Sequence, residues 1–223
     1  MLLDMNGTFM FDEDRFGNEE DFSIYYRSIG GLLNSDKINR LIRNVYGYLD
    51  ERYPAEEFRH DFPSLKSAID DVSSNELPAS DTNKIIATFA FHERGKIPVE
   101  YISALHSLAK RFTLAVVIDI WSPKDTWLEE FEKAGISELF SAMSFSSDLG
   151  MVKPSPRPFE LVLNTLGLGC SDAVVIGDSI RRDLGGAMAA GIDCILVGGA
   201  THNQALASYR DLLEFAQQIE HIS

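Results

Sequence analysis

The chain has 223 residues, 45% of them hydrophobic and 24% charged, with a formal net charge of −14. That length supplies one good-sized core plus an inserted module, or two small domains, and the balance of apolar to charged residues excludes wholesale disorder. The acidic excess opposes docking to phosphate backbones, so no nucleic-acid partner is expected. Two cysteines, Cys170 and Cys194, provide no disulfide framework, no apolar run approaches membrane-spanning length, and the start Met1-Leu2-Leu3-Asp4 lacks the pattern of a signal peptide. The expectation is a cytoplasmic protein with no membrane partner.

Leu2-Leu3 predicts a strand ended by Asp4. Strands typically run ~5–6 residues, so either this one is short or the true start lies upstream of Met1. The stretch to about residue 97 is mostly helical in pattern. Leu41, Ile42, Val45 and Leu49 recur at helical spacing behind the cap candidate Asn34-Ser35-Asp36. Further helices are predicted over residues 63–72 and 80–92, before Gly95 and Pro98 punctuate the chain.

From Pro98 onward helices and strands alternate. Helices are expected over residues 101–110, 124–134 (ended by Gly135), 156–166, 183–190 (stopped by Gly191) and 204–218. Strands are expected over residues 114–118, 139–145, 173–176 and 194–197. Such alternation predicts an α/β fold with a parallel sheet covered on both faces, and ligands then bind beyond the carboxyl ends of the strands.

Four segments fall at or near such ends. Asp4-Met5-Asn6-Gly7-Thr8 places an acid after the first strand and a glycine for a sharp turn, although alone it reads more readily as an ordinary turn. Ile118-Asp119-Ile120-Trp121-Ser122 closes the second strand, and Ile118 by itself reads as core. Lys153-Pro154-Ser155-Pro156 offers a cation to a phosphate, or simply an exposed lysine beside a helix start. Gly177-Asp178-Ser179 ends an apolar strand, with Asp183 about one turn further on; Asp178 is otherwise a helix cap.

In this order the four segments resemble the haloacid dehalogenase-like (HAD) superfamily over almost the whole chain. The spacing of Lys153-Pro154 and Gly177-Asp178-Ser179 before Asp183-Leu184-Gly185-Gly186-Ala187 is the most specific part. His92-Glu93-Arg94-Gly95-Lys96-Ile97-Pro98 looks like the return from a helical cap. The resemblance implies a Rossmannoid parallel-sheet core from residues 1–15 and 98–223, with a helical cap over residues 16–97. It also implies Mg²⁺ held by Asp4, Asp178 and the backbone carbonyl of Asn6, with Asp183 supporting these ligands. Asp4 would attack phosphorus and form an aspartyl phosphate, while Lys153 balances charge. The substrate would be a small phosphorylated metabolite and the assembly a monomer or homodimer.

Two positions depart from the pattern. Asn6 stands where most family phosphatases carry the Asp that protonates the leaving group, a loss of ~10²–10⁴-fold in rate. Ile118 stands where the family has a Ser or Thr to bind phosphate. Asp119, Ser122 or the amides of their loop are the local substitutes, and Asp119 is a candidate for the missing acid–base role. Candidate substrate contacts are Phe9, Phe11, Arg15, Phe16, Tyr25, Tyr26 and Arg27, although most of the Phe and Tyr residues read better as the cap's own core; Trp121 and Trp127 beside the second motif read equally as pocket lining or as packing. The leading expectation is a slow Mg²⁺-dependent phosphohydrolase or phosphotransferase. The alternatives are a catalytically weakened module that binds a phosphorylated ligand or a partner, and a metal-free dehalogenase.

Overall fold

The computed structural model describes residues 1–74 and 77–221. Strands β1 (Leu2–Leu3), β2 (Leu114–Ile118), β3 (Phe140–Phe145), β4 (Val174–Gly177), β5 (Asp193–Leu196) and β6 (Ala207–Ser208) form one six-stranded sheet in the order β3-β2-β1-β4-β5-β6. Every pairing is parallel. Among the described residues, four α-helices lie between β1 and Gly95: α1 (Phe22–Ser28), α2 (Ser35–Arg52), α3 (Leu65–Val72) and α4 (Ala79–Glu93). The remaining helices connect or cover strands: α5 (Val99–Ala109), α6 (Asp125–Lys133), α7 (Ser146–Leu149), α8 (Arg157–Leu166), α9 (Gly185–Ala189) and α10 (Leu212–His221).

Successive strand residues face opposite sides of a sheet, so a parallel sheet covered twice needs apolar residues at both parities. Every residue of Leu114–Ile118 is accordingly buried. Leu3, Val116, Ile118 and Ile176 pack with residues of α5, α6 and α10, whereas Leu2, Ala115, Val117 and Val175 pack with residues of α8 and α9. β1 is short but central. Its ladder extends beyond its ends, because the Met1 carbonyl accepts from the Ala115 amide at 2.9 Å and the Asp4 amide donates to the Ile176 carbonyl at 2.8 Å. Both strand and site acid are thereby fixed in the middle of the sheet.

The inserted helices build their own apolar cluster, including Phe16, Phe22, Tyr26, Ile42, Val45, Ile85 and Phe89. Asn34 caps α2 by accepting the Lys37 amide at 2.8 Å, which keeps Ile38, Leu41, Ile42, Val45 and Leu49 on the buried stripe. The cluster is completed from outside: Val152 belongs to it and Trp121 packs against it. Backbone bonds join the same parts, from the Phe62 amide to the Gly150 carbonyl at 2.8 Å and from the Val152 amide to the Arg59 carbonyl at 3.1 Å.

The sequence-based elements shift in three places. The helix expected over residues 204–218 is shorter and later, because Ala207–Ser208 pairs with β5 as the edge strand before α10 begins. The helix expected from Asp183 opens instead as a π-helical turn, Ile180–Leu184, ahead of α9. The short helix α1, which buries Phe22, Ser23 and Tyr26, was not among the expected elements.

Candidate active site

Asp4 leaves β1 at the carboxyl edge of the sheet, and Asp178 leaves the neighbouring β4 at the same edge. Two glycines let the acids approach. Gly7 has φ +70°, and a Cβ there would lie 2.4 Å from Asp178 Oδ2; a Cβ on Gly177 would lie 2.3 Å from Asp183 Cγ. One carboxylate oxygen from each of Asp4, Asp178 and Asp183 falls within 4.8 Å of the others.

Lys153 is buried and its Nζ donates to Asp4 Oδ1 at 2.6 Å and to Asp183 Oδ1 at 2.7 Å. Asp183 Oδ2 accepts the Ser179 amide at 2.9 Å, so both oxygens of Asp183 are engaged in holding the lysine and the turn after β4. Asp178 Oδ1 and Asn6 Oδ1, in contrast, are buried with no hydrogen-bond partner among the described residues. Burial and the Asp183 carboxylate push the Asp4 carboxyl up to about 7, against the pull of Lys153. Burial also raises Asp178, with Asp183 adding to it. For Lys153, burial works against the ammonium but Asp183 and Asp4 outweigh it and hold the group protonated.

Hard oxygen donors, an orphaned carboxylate oxygen and mutual repulsion among acids suit a divalent cation such as Mg²⁺. Asp4 and Asp178 are the side chains that could hold it. Asp183 is already committed elsewhere.

Asp4, Asn6, Lys153 and Asp178 line a cavity of about 90 Å³ together with Glu13, Asp14, Tyr53, Glu93, Asp119, Trp121 and Arg182. Glu13, Asp14, Tyr53 and Arg182 carry no signal in the sequence, and Glu93 is marked there only as part of the return from the cap. Glu93 lies at the end of α4; its Oε1 accepts the Trp121 amide at 2.6 Å and its Oε2 the Ser122 amide at 2.9 Å. Burial pushes Glu93 up to about 7 even though these bonds favour its charged form. The Ile120 amide donates to Ser146 Oγ at 2.9 Å. The amides of residues 120–122, candidates for holding a phosphate, are therefore committed within the protein.

The second-motif residues divide. Ile118 is 1% exposed within the sheet core, and Ser122 is buried; neither is among the residues lining the cavity. Asp119 does line it, but its carboxylate accepts the Lys153 amide at 3.0 Å and the Tyr53 hydroxyl at 2.6 Å on Oδ2. Burial raises the Asp119 carboxyl, opposed by Lys153 and the Tyr53 bond. Its observed contacts tie the loop of Lys153 to the end of α2. Burial, followed by the Asp119 charge, holds the Tyr53 phenol well above its ordinary value.

The expected aromatic and basic substrate contacts lie elsewhere. Phe9 is in the sheet core, Phe16 and Tyr26 are in the helical core, Tyr25 stacks on Phe91 at 4.1 Å, and Arg15 donates to the Phe91 carbonyl. Phe11 pairs with Tyr101 at 4.8 Å, and neither it nor Arg27 lines the cavity. Trp121 does line the cavity, while Trp127 is buried core.

The chain belongs to the haloacid dehalogenase-like hydrolase family, which matches residues 34–197 and so includes Lys153, Asp178 and Asp183. Among curated proteins it is similar to a phosphoserine phosphatase from Thermus thermophilus, 29% identical over 53% of this chain and 48% of that protein. It is also similar to the pyrophosphatase PpaX from Halalkalibacterium halodurans, 25% identical over 78% of this chain and 82% of that protein. The chain thus spans about half the length of the first relative and most of the second. A 2-haloacid dehalogenase from Pseudomonas syringae superposes with a TM-score of 0.66 at 20% identity, covering 100% of both chains, and shares the fold. No helix among the described residues is long and apolar enough to cross a membrane.

Proposed function

We propose that the chain is a Mg²⁺-dependent phosphohydrolase or phosphotransferase acting on a small phosphorylated metabolite, with residues 16–97 as its cap. The observation that carries this reading is the lysine held between Asp4 and Asp183, with the Asp178 oxygen unpartnered beside them. When bound, the cation supplies charge neutralisation between two anionic reactants. Asp4 attacks phosphorus, the bond to the leaving oxygen breaks, and the phosphoryl group rests on Asp4. Water or another acceptor then takes the phosphoryl group, and the carboxylate is regenerated. Lys153 pulls the Asp4 carboxyl back toward its anionic form and screens it from Asp183. The packed helices over the cavity exclude water from the reacting atoms.

Asn6 lines the cavity where a proton donor would be useful, and an amide supplies none at neutral pH. Turnover of alkyl esters is therefore slow, while leaving groups that depart as stable anions suffer less. The test is Mg²⁺-dependent hydrolysis of nitrophenyl phosphate, with Asp4→Asn as control. Activity that survives this substitution removes the reading. The commitment of the loop amides and the loss of a hydroxyl at Ile118 favour a second reading, a weakened module that binds phosphorylated ligands without turnover. Phosphate binding with no hydrolysis would select it. The metal-free dehalogenase is disfavoured by the three acids drawn within 4.8 Å of one another.

A further inference from the structure

The geometry points to Arg182 as the side chain that binds the substrate's phosphoryl oxygens, in place of the hydroxyl absent at residue 118. This rests on the phosphoryl-transfer reading above and names a contact which that reading leaves open. A phosphoryl group needs donors on the oxygens that the metal does not take. The end of β2 offers none from its side chain, since Ile118 is buried in the sheet core. The amides of Trp121 and Ser122 are spent on Glu93. Lys153 divides its ammonium between two carboxylates at 2.6 and 2.7 Å.

Arg182 lines the same cavity, and its guanidinium makes no hydrogen bond to any described residue. Its nearest carboxylate oxygen, Asp178 Oδ1, is 4.0 Å away, beyond hydrogen-bond reach. The π-helical turn that supplies Asp183 also supplies Arg182, whose amide donates to Ser179 Oγ at 3.2 Å. The guanidinium lies 5.7 Å from the centre of the Tyr53 ring, whose hydroxyl is tied to Asp119. The backbone and one flank of the guanidinium are thus positioned while its donors stay unspent. A planar fork of donors matches phosphoryl oxygens, and among the described residues it is the cation lining the cavity that hydrogen-bonds no carboxylate.

The experiment is titration calorimetry of inorganic phosphate at saturating Mg²⁺ with the wild type, Arg182→Gln and Arg182→Lys, alongside thermal melts. Loss of a charge-assisted contact should weaken phosphate binding roughly 10-fold to 100-fold in the Gln variant. The Lys variant keeps the charge but not the fork, and should bind several-fold more weakly than the wild type. If Arg182 served only as a counterion or packing group, melting temperature and Mg²⁺ affinity would change while phosphate affinity at saturating metal did not. A folded Gln variant with wild-type phosphate affinity overturns the proposal. Should the Gln variant fail to fold, wild-type affinity in the Lys variant overturns it equally. A wild type that neither binds phosphate nor hydrolyses nitrophenyl phosphate refutes the proposed function itself, which is a separate failure.

Discussion

Removing one oxygen atom at Tyr53 tests how the helical insertion is fastened over the site. The Tyr53 hydroxyl donates to Asp119 Oδ2 at 2.6 Å, and that same carboxylate accepts the Lys153 amide. Tyr53→Phe deletes this bond but keeps the ring, which packs against Trp121 with centroids 5.7 Å apart and against Phe62 at 5.9 Å. A hydrogen bond to a charged acceptor contributes about 1.5–3 kcal/mol. Tyr53 and Asp119 are only half-buried, so solvent screening places the loss at the lower end, about 1.5 kcal/mol. For a chain of this size we expect the melting temperature to drop by about 3–6 °C. Trp121 sits at the contact, so its emission should shift at a lower temperature in the variant. The hydroxyl favours ionised Asp119, and burial already raises that carboxyl. Its loss raises it further, so the gap between variant and wild type should open as pH rises through the titration of Asp119 and close in acid. A melting temperature within about 1 °C of wild type, and an Asp119→Asn effect unchanged by Tyr53→Phe, would refute the fastening.

Asn6→Asp should restore a proton donor and raise turnover of alkyl phosphates by ~10²–10⁴-fold, with a much smaller gain on nitrophenyl phosphate; equal gains on both would contradict the role given to Asn6. Gly7→Ala forces a Cβ to within 2.4 Å of Asp178 Oδ2 at φ +70°. It should cost ~1–2 kcal/mol of stability and abolish Mg²⁺ binding measured by calorimetry, and an unchanged metal affinity would count against the assigned ligands. Glu93 is pushed up to about 7 from an ordinary 4.5, so the stability linked to its protonated form is present below 4.5 and lost as pH rises through 7. That loss is on the order of 3 kcal/mol. Glu93→Gln should therefore flatten the fall in melting temperature across this window, and parallel curves for variant and wild type would show that Glu93 is not its source.

Much of the fold was readable because its signals are local. An apolar run such as Leu114–Ile118 can only be buried on both faces, and Gly135 with φ +68° marks a helix end through its own backbone. The acids at strand ends and the lysine were legible as an ordered set of residue types, and the structure brings Asp4, Lys153, Asp178 and Asp183 together. What stayed hidden depends on contacts between distant segments. Tyr53 reaches the site because α2 ends over the cavity, and nothing in its neighbours marks it. Glu93 blocks the second-motif amides across a separation of 28 residues to Trp121. Arg182 lay in plain view between Asp178 and Asp183, but its direction depends on the π-helical turn and the Tyr53 ring. The edge strand β6 was read as helix because two residues carry no periodicity of their own.

The most direct measurement is mass spectrometry of the protein acid-quenched during turnover of nitrophenyl phosphate with Mg²⁺. We expect a phosphoryl adduct on the peptide that carries Asp4, absent in Asp4→Asn and absent without the metal. Hydrolysis with no adduct at Asp4, or an adduct on another residue that survives Asp4→Asn, would contradict the nucleophile on which the proposed chemistry depends.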